Sequence, residues 1–353
     1  MKVCIVGAGS IGGYLAVLLA RAGVEVTVIA RGAHLQAIQA QGLRLITDDG
    51  DIIARNLRAT HDMRAAGRHD AVILAVKANQ VGPIAEDVNA LLHDDATLVT
   101  MQNGIPWWYF QRHGAIHEGR AVEAVDPGGE IARTIDPRRI VGSVVYPAAS
   151  IVAPGVIRHI EGRRFPLGEP DGSASARVTA LSEMFVCAGL KAPVLPDIRS
   201  EIWLKLWGNL SFNPISALTH ATLSDLCRFP LSRELAQNMM LEAQAVAGKL
   251  GIRFRVPIEK RIAGAEAVGA HKTSMLQDVE AGRHVEIDAL VGAVIELGQL
   301  TGTPTPCIGA VYALVKLLSK TIADQAVCVR ATPARAEARH AFHAGRDAQY
   351  ITH

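Results

Sequence analysis

Between Glu201 and Pro214 the chain reads EIWLKLWGNLSFNP, an apolar run with two tryptophans that places Lys205, Asn209 and Asn213 at every fourth position. Four residues turn an α-helix by about 400°, so the three polar side chains form one slowly drifting stripe on an otherwise apolar helix. A lysine in apolar surroundings must find a partner or lower its pKa. A partly desolvated ammonium is a good proton donor. Reduction of a ketone needs such a donor, because the nascent alkoxide must be stabilised and protonated. Asn209 and Asn213 would add amide donors and acceptors for a polar substrate. Periodicity alone is equally compatible with Lys205 reaching to solvent along the helix and the asparagines capping helix ends.

Two further clusters carry polar groups in apolar settings. Gln102-Asn103-Gly104 ends the strand pattern TLVTM. In an open α/β sheet, ligands bind at the carboxyl ends of strands, which would put this turn near the nicotinamide end of a dinucleotide. Further on, Ser274, Gln277 and Asp278 sit close together, with Glu286 and Asp288 following. A surface turn with an early-turn acid would look the same.

These groups need a scaffold and a reductant, and the N-terminus supplies the signal for both. KVCIV reads as a buried parallel strand, SIGGYLAVLLARAG as a helix and VEVTVIAR as a second strand, a βαβ unit. Between the first two lies Gly7-Ala8-Gly9-Ser10-Ile11-Gly12, a G-x-G-x-x-G loop in the right context. Its glycines permit the tight turn, the approach of a pyrophosphate and close helix packing, and the helix N-terminus offers free N–H groups to the phosphates. The second strand ends in Ala30-Arg31, where an NAD site would carry an acid. An arginine there suits a 2′-phosphate, so the expected cofactor is NADP(H). Lys77, ending the strand AVILAV, is a second candidate for the adenosine phosphate end.

Later segments alternate between strands and helices to about residue 170, and helical periodicity dominates from about residue 175. The segments RAVEAVDPGGEIA, RIVGSVVYPAASIVAPGVIRHIEG and RFPLGEP are β-prone and suggest extra, partly antiparallel strands at the far edge of the sheet. The predicted fold is α/β: a Rossmann-type dinucleotide-binding domain with extra edge strands over 1–192, an all-helical substrate and catalytic domain over 193–328, and a loosely ordered tail over 329–353. The formal net charge of +2 is too mild to indicate a nucleic-acid partner. Five scattered cysteines suggest reduced thiols and a cytoplasmic protein, and the histidines show no metal-ligand spacing. The glycines of the first 23 residues argue against a signal peptide, and no uninterrupted apolar segment of transmembrane length stands out elsewhere. No metal or membrane partner is expected, and the chain reads as a monomer or homodimer.

GAGSIG, Arg31, the VK of Val76-Lys77, QNG, K-x-x-x-N-x-x-x-N-P at Lys205–Pro214 and S-M-L-Q-D…E-I-D at Ser274–Asp288 occur in this order. Over roughly residues 1–325 the chain resembles the ketopantoate reductase family, the 2-dehydropantoate 2-reductases. The resemblance implies reduction of 2-dehydropantoate to (R)-pantoate with NADPH, a step toward pantothenate and coenzyme A. It implies that Lys205 is the general acid, and that Asn209 and Asn213 hold Lys205 and the substrate's hydroxyl and carbonyl groups. Ser274 would bind the substrate carboxylate, and Asn103 would lie between nicotinamide and substrate. Glu286 would bond near the nicotinamide ribose and the lysine, with Gly7, Gly9, Gly12, Arg31 and Lys77 holding NADP. Two stretches depart from the family pattern: IPWWYF at Ile105–Phe110, and LTHATLSDL, which offers Thr219, His220 and Thr222 where some members carry another asparagine. The aromatic stretch could be edge packing, or could reshape the pocket for a bulkier 2-oxo acid. A non-catalytic NADP(H)-sensing protein is the other reading, against which Lys205 and Glu286 speak.

Overall fold

The structure, a computed structural model, describes residues 1–331. β1 (Lys2–Val6) is enclosed on both faces, as expected of a central strand in a parallel sheet. Cys4 within it is wholly buried, which pushes its thiol up to about 12 and makes it a core residue. The chain passes through the glycine turn into α1 (Ser10–Arg21) and β2 (Glu25–Ile29), which pairs parallel to β1. α2 (Gly32–Gln41) leads to a hairpin, β3 (Leu43–Thr47) with β4 (Gly50–Ala54), and then β5 (Leu57–Thr60) returns to lie beside β2. The second half runs through α3 (Met63–Ala66), β6 (His69–Leu74), α4 (Ala85–Ala90), β7 (Leu92–Thr100), α5 (Glu130–Thr134) and β8 (Ile140–Ser143). Next come β9 (Ala148–Ala153), β10 (Val156–Glu161) and the short β11 (Leu167–Gly168). The main sheet has the order β11-β8-β7-β6-β1-β2-β5 and is parallel except for β11.

Two predicted strand regions fold differently. Only β8 and β11 extend the main sheet beyond β7. β9 and β10 cross over to join the first hairpin in a separate sheet of order β4-β3-β10-β9. The reason lies in α1, which is apolar around most of its circumference. The main sheet covers one side of that helix, and the second sheet must cover the other. Tyr14 of α1 stacks there on His159 of β10, with ring centroids 4.8 Å apart. The segment RAVEAVDPGGEIA forms turns and α5 rather than a strand. Buried Asp126 accepts hydrogen bonds from the backbone of Ile131 (2.7 Å) and Ala132 (3.1 Å), and Pro127 with two left-handed glycines prevents extension.

α6 (Ala176–Cys187) packs against the first domain, and Lys191 and Val194 form bridges to Arg164 and Leu167. The remainder is helical: α7 (Ile198–Thr219), α8 (Leu223–Arg228), α9 (Pro230–Lys249), α10 (Ile258–Ala267), α11 (Ser274–Glu280), a π-helical turn (Asp288–Gly292), α12 (Ala293–Thr301) and α13 (Pro306–Gln325). α7 is the central helix, touching α9, α11 and α13. By length and hydropathy α13 could cross a membrane, although Lys316 and Lys320 interrupt its apolar run. Ile308, Val311, Val315 and Ile322 bury its inner face, while Leu314 and Leu317 are exposed. Within the predicted tail, Val329 N–H donates to Val279 O (3.4 Å) and Arg330 to Glu280 O (2.6 Å), so these residues dock on α11. Residues 332–353 lie outside the described residues.

The aromatic stretch after Asn103 is core, not a pocket wall. Ile105, Trp107, Trp108, Tyr109 and Phe110 are all buried between the sheet and α7. Trp108 donates to Thr100 Oγ1 (2.8 Å) and Trp203 of α7 donates to the Tyr109 hydroxyl (2.7 Å). One apolar core therefore runs continuously from the sheet into the helical domain.

Candidate active site

The carboxyl ends of β1, β2, β6 and β7 open onto a crevice faced by α7 and by the segment leading into the π turn. At one end lies the glycine turn. Gly7 has φ of 100°, and the N–H groups of Gly7 and Ala8 both donate to Ile29 O at 3.1 Å. A side chain on Gly12 would put its Cβ 1.9 Å from Gly7 O, whereas the space beside Gly9 is open. Ser10, Ile11 and Gly12 form the first turn of α1, whose N–H groups have no intrahelical partners, and that turn carries no acid. A turn of this geometry can cradle a pyrophosphate. Gly12→Ala should abolish cofactor binding, which titration of cofactor fluorescence would detect as a loss of ~100-fold or more. Beside the turn, Arg31 is exposed at the N-cap of α2, and buried Ala30 occupies the place of an acid.

Lys77 is tied across the crevice rather than standing free for phosphate. Its ammonium donates to Asp278 Oδ2 (2.8 Å) and His284 O (2.9 Å). Asp278 also takes a hydrogen bond from Arg283 at 2.8 Å. Next to it, Ala78 N–H donates to Glu286 Oε1 (3.0 Å). Burial raises the Glu286 pKa, against the pull of that N–H and of Lys77.

At the centre, Lys205 Nζ donates to Asn103 Oδ1 at 2.5 Å. Its pKa is lowered to about 8, chiefly because burial penalises the ammonium, while the Glu286 charge opposes the fall. Asn103 is held by its neighbours. Gln102 Nε2 donates to Leu74 O (3.0 Å) and Val76 O (3.1 Å), fastening the end of β7 to that of β6. Gly104 has φ of 88°, and a Cβ there would lie 2.2 Å from Ala289 O of the π turn. Only glycine allows Ile105 N–H to bond that carbonyl at 2.9 Å.

On α7, Asn209 is half-buried and Asn213 buried, one and two turns after Lys205 on its face. Ser274 is the first residue of α11 and exposed, and the helix cap is its neighbour Thr273. The structure joins Lys205 to Asn103, Glu286 to Ala78 and Lys77 to Asp278. It leaves Ser274 without a hydrogen bond to any of these among the described residues. His220 ends α7 in the left-handed conformation and Thr222 caps α8, so both serve the turn between helices. Among the described residues, no group of three or more His, Cys, Asp or Glu is placed to hold a metal ion.

Sequence reasoning missed a second cluster. Glu201, one turn before Lys205, accepts hydrogen bonds from Tyr146 (2.8 Å) and from Arg164. Its spacing of four from Lys205 was a usable signal. Nothing local marked Tyr146, which follows β8 and so stands at the carboxyl edge of the sheet.

A glycine cradle at the end of β1 and a half-buried, amide-held lysine across the same crevice define a dinucleotide-dependent oxidoreductase acting on CH–OH groups. Comparison with known proteins narrows this. The family model for ketopantoate reductase PanE/ApbA matches residues 3–172, and the model for its C-terminal part matches 197–319. The chain belongs to the ketopantoate reductase family. A 2-dehydropantoate 2-reductase from Mesorhizobium japonicum is 57% identical over 90% of this chain and 98% of its own. A family member from Ralstonia solanacearum MolK2 superimposes with a TM-score of 0.87 at 43% identity, covering 91% of this chain and 98% of its own. A PanE/ApbA family ketopantoate reductase from Ralstonia eutropha JMP134 does so with a TM-score of 0.79 at 29% identity, over 91% and 99%.

Proposed function

We propose that the chain reduces 2-dehydropantoate to (R)-pantoate with NADPH, a step toward pantothenate and coenzyme A, and that Lys205 supplies the proton. The observation that carries this reading is the Lys205–Asn103 pair at the carboxyl end of β7, with the lysine held near 8. The nicotinamide, when bound, supplies the hydride to the substrate's carbonyl carbon. The ammonium of Lys205 stabilises the oxygen as charge develops and gives it a proton. A donor with a pKa of about 8 is still mostly protonated at neutral pH, yet releases its proton more readily than an ordinary lysine. Asn103 aims the ammonium, and Glu286 keeps it charged. Asn209 and Asn213 take the substrate's hydroxyl and carbonyl groups, and Ser274 a carboxylate oxygen. The glycine cradle of Gly7–Gly12 holds the pyrophosphate.

Arg31 would hold the 2′-phosphate that distinguishes NADPH from NADH. Arg31→Ala should raise KM for NADPH by ~10–100-fold and leave KM for NADH nearly unchanged. Lys77 reaches a phosphate only by exchanging its bond to Asp278. The direct test is oxidation of NADPH, followed at 340 nm, with 2-dehydropantoate as substrate. A kcat/KM above ~10⁴ M⁻¹s⁻¹ supports the reading, and turnover with other 2-oxo acids alone would move the substrate elsewhere.

A further inference from the structure

α10 carries Arg261 against the same face of α7 that bears Lys205. A Cβ on Gly208 would lie 2.0 Å from Arg261 Nη2 and 2.7 Å from Cζ, so the guanidinium fills the space that a side chain at 208 would take. Its Cζ lies 5.9 Å from the centroid of the Phe212 ring. Positions 205, 208 and 212 follow the i, i+3, i+7 rule and share one face of the helix. Arg261 is therefore beside the catalytic stripe, about one turn from Lys205.

Among the described residues no carboxylate pairs with Arg261, and the ionisable groups that act on it are Tyr146 and Cys227. Burial raises the pKa of both, so both are neutral at pH 7. Burial also lowers the pKa of Arg261 itself. The nearby arginines differ: Arg164 pairs with Glu201, and Arg199 donates to the carbonyls of Tyr109, Pro170 and Gln111. The contacts of Arg261 with Gly208 and Phe212 place its guanidinium against α7, the helix whose Glu201 takes the hydrogen bond of Tyr146 from the carboxyl edge of the sheet. A half-buried cation without a partner is costly, and a guanidinium offers a planar fork matched to a carboxylate.

We propose that Arg261, whose guanidinium occupies the space left by Gly208, is an anion-binding residue of the substrate site and holds a carboxylate of the substrate beside Lys205. This rests on the reading of the chain as a 2-oxo acid reductase. The carboxylate is either the one next to the ketone or a second, distal one, and substrate choice separates them.

The test is steady-state kinetics of the full chain, wild type, Arg261→Met and Arg261→Lys, at saturating NADPH, with 2-dehydropantoate and with 2-oxoglutarate. Arg261→Met should raise KM by ~30–100-fold and lower kcat far less, and added guanidinium ion should restore part of the loss. Loss with both substrates assigns Arg261 to the carboxylate beside the ketone. Loss confined to 2-oxoglutarate assigns it to a distal one. Arg261→Lys, which keeps the charge without the fork, should fall between, and is read alone if the methionine variant does not fold. Unchanged KM for both substrates in a variant that melts with the wild type would overturn the proposal. Calorimetric binding of oxalate to the NADPH complex covers the case in which the wild type turns over neither acid. That case sinks the functional reading, and an oxalate affinity equal in wild type and Arg261→Met sinks this one.

Discussion

Replacing Lys205 by alanine is expected to lower kcat for a 2-oxo acid by ~10³-fold, within the usual range for loss of a positioned general acid, while leaving cofactor affinity intact. The residue sits in the middle of a largely buried helix, and its bond to Asn103 links a proton-bearing cation to the end of β7. The glycine turn that would hold the cofactor lies at the end of β1, and the hydrogen bond of Lys205 goes to Asn103 after β7. Fluorescence titration of NADPH and stopped-flow hydride transfer would separate the two effects. Comparable losses in both would mean that Lys205 supports the site rather than the chemistry.

The same residue sets a pH dependence. With Lys205 as the proposed proton donor, activity should be full well below pH 8 and fall tenfold per unit above it, following the lysine held at about 8. The Glu286 charge raises that value. Glu286→Gln should therefore shift the alkaline limb of kcat to lower pH. A profile of kcat in wild type and variant checks this, and a limb that stays in place would remove Glu286 from the role of charge partner.

The second large effect concerns stability. Arg199→Met is expected to destabilise the protein by about 4 kcal/mol, because a buried guanidinium that serves three backbone carbonyls leaves all of them unpaired when removed. Arg199 is 8% exposed and donates to Tyr109 O and Gln111 O, both at 2.8 Å, and to Pro170 O. It fastens the aromatic segment of the first domain to the start of α7. A fall of roughly 5–10 °C in Tm by calorimetry is the expected readout. A shift of only a degree would show that the aromatic packing around Trp108 and Tyr109 holds the segment without it.

The aromatic segment also shows where residue-by-residue reading ran short. IPWWYF follows Asn103-Gly104, and its position leaves edge packing and a pocket wall equally open. Its side chains instead fill the seam between the two domains, and the polar atoms of Trp108 and Tyr109 find partners on β7 and α7. Pattern alone cannot tell a buried ring from one lining a cleft, since both demand an apolar neighbourhood. The second sheet was hidden for a related reason: β10 pairs with β3, over a hundred residues earlier, because both cover the outer side of α1.

What the sequence by itself determined was local. The βαβ unit, the glycine turn and the four-residue spacing of Lys205, Asn209 and Asn213 follow from periodicity and backbone sterics, which act within a few turns of chain. The tertiary structure decided which polar groups meet. Lys205 pairs with a residue 102 positions away and Lys77 with one 201 positions away. Arg261 finds its space only because another helix carries a glycine opposite it. Such partners depend on how two cores close against each other, and burial then sets the charge and pKa of each group.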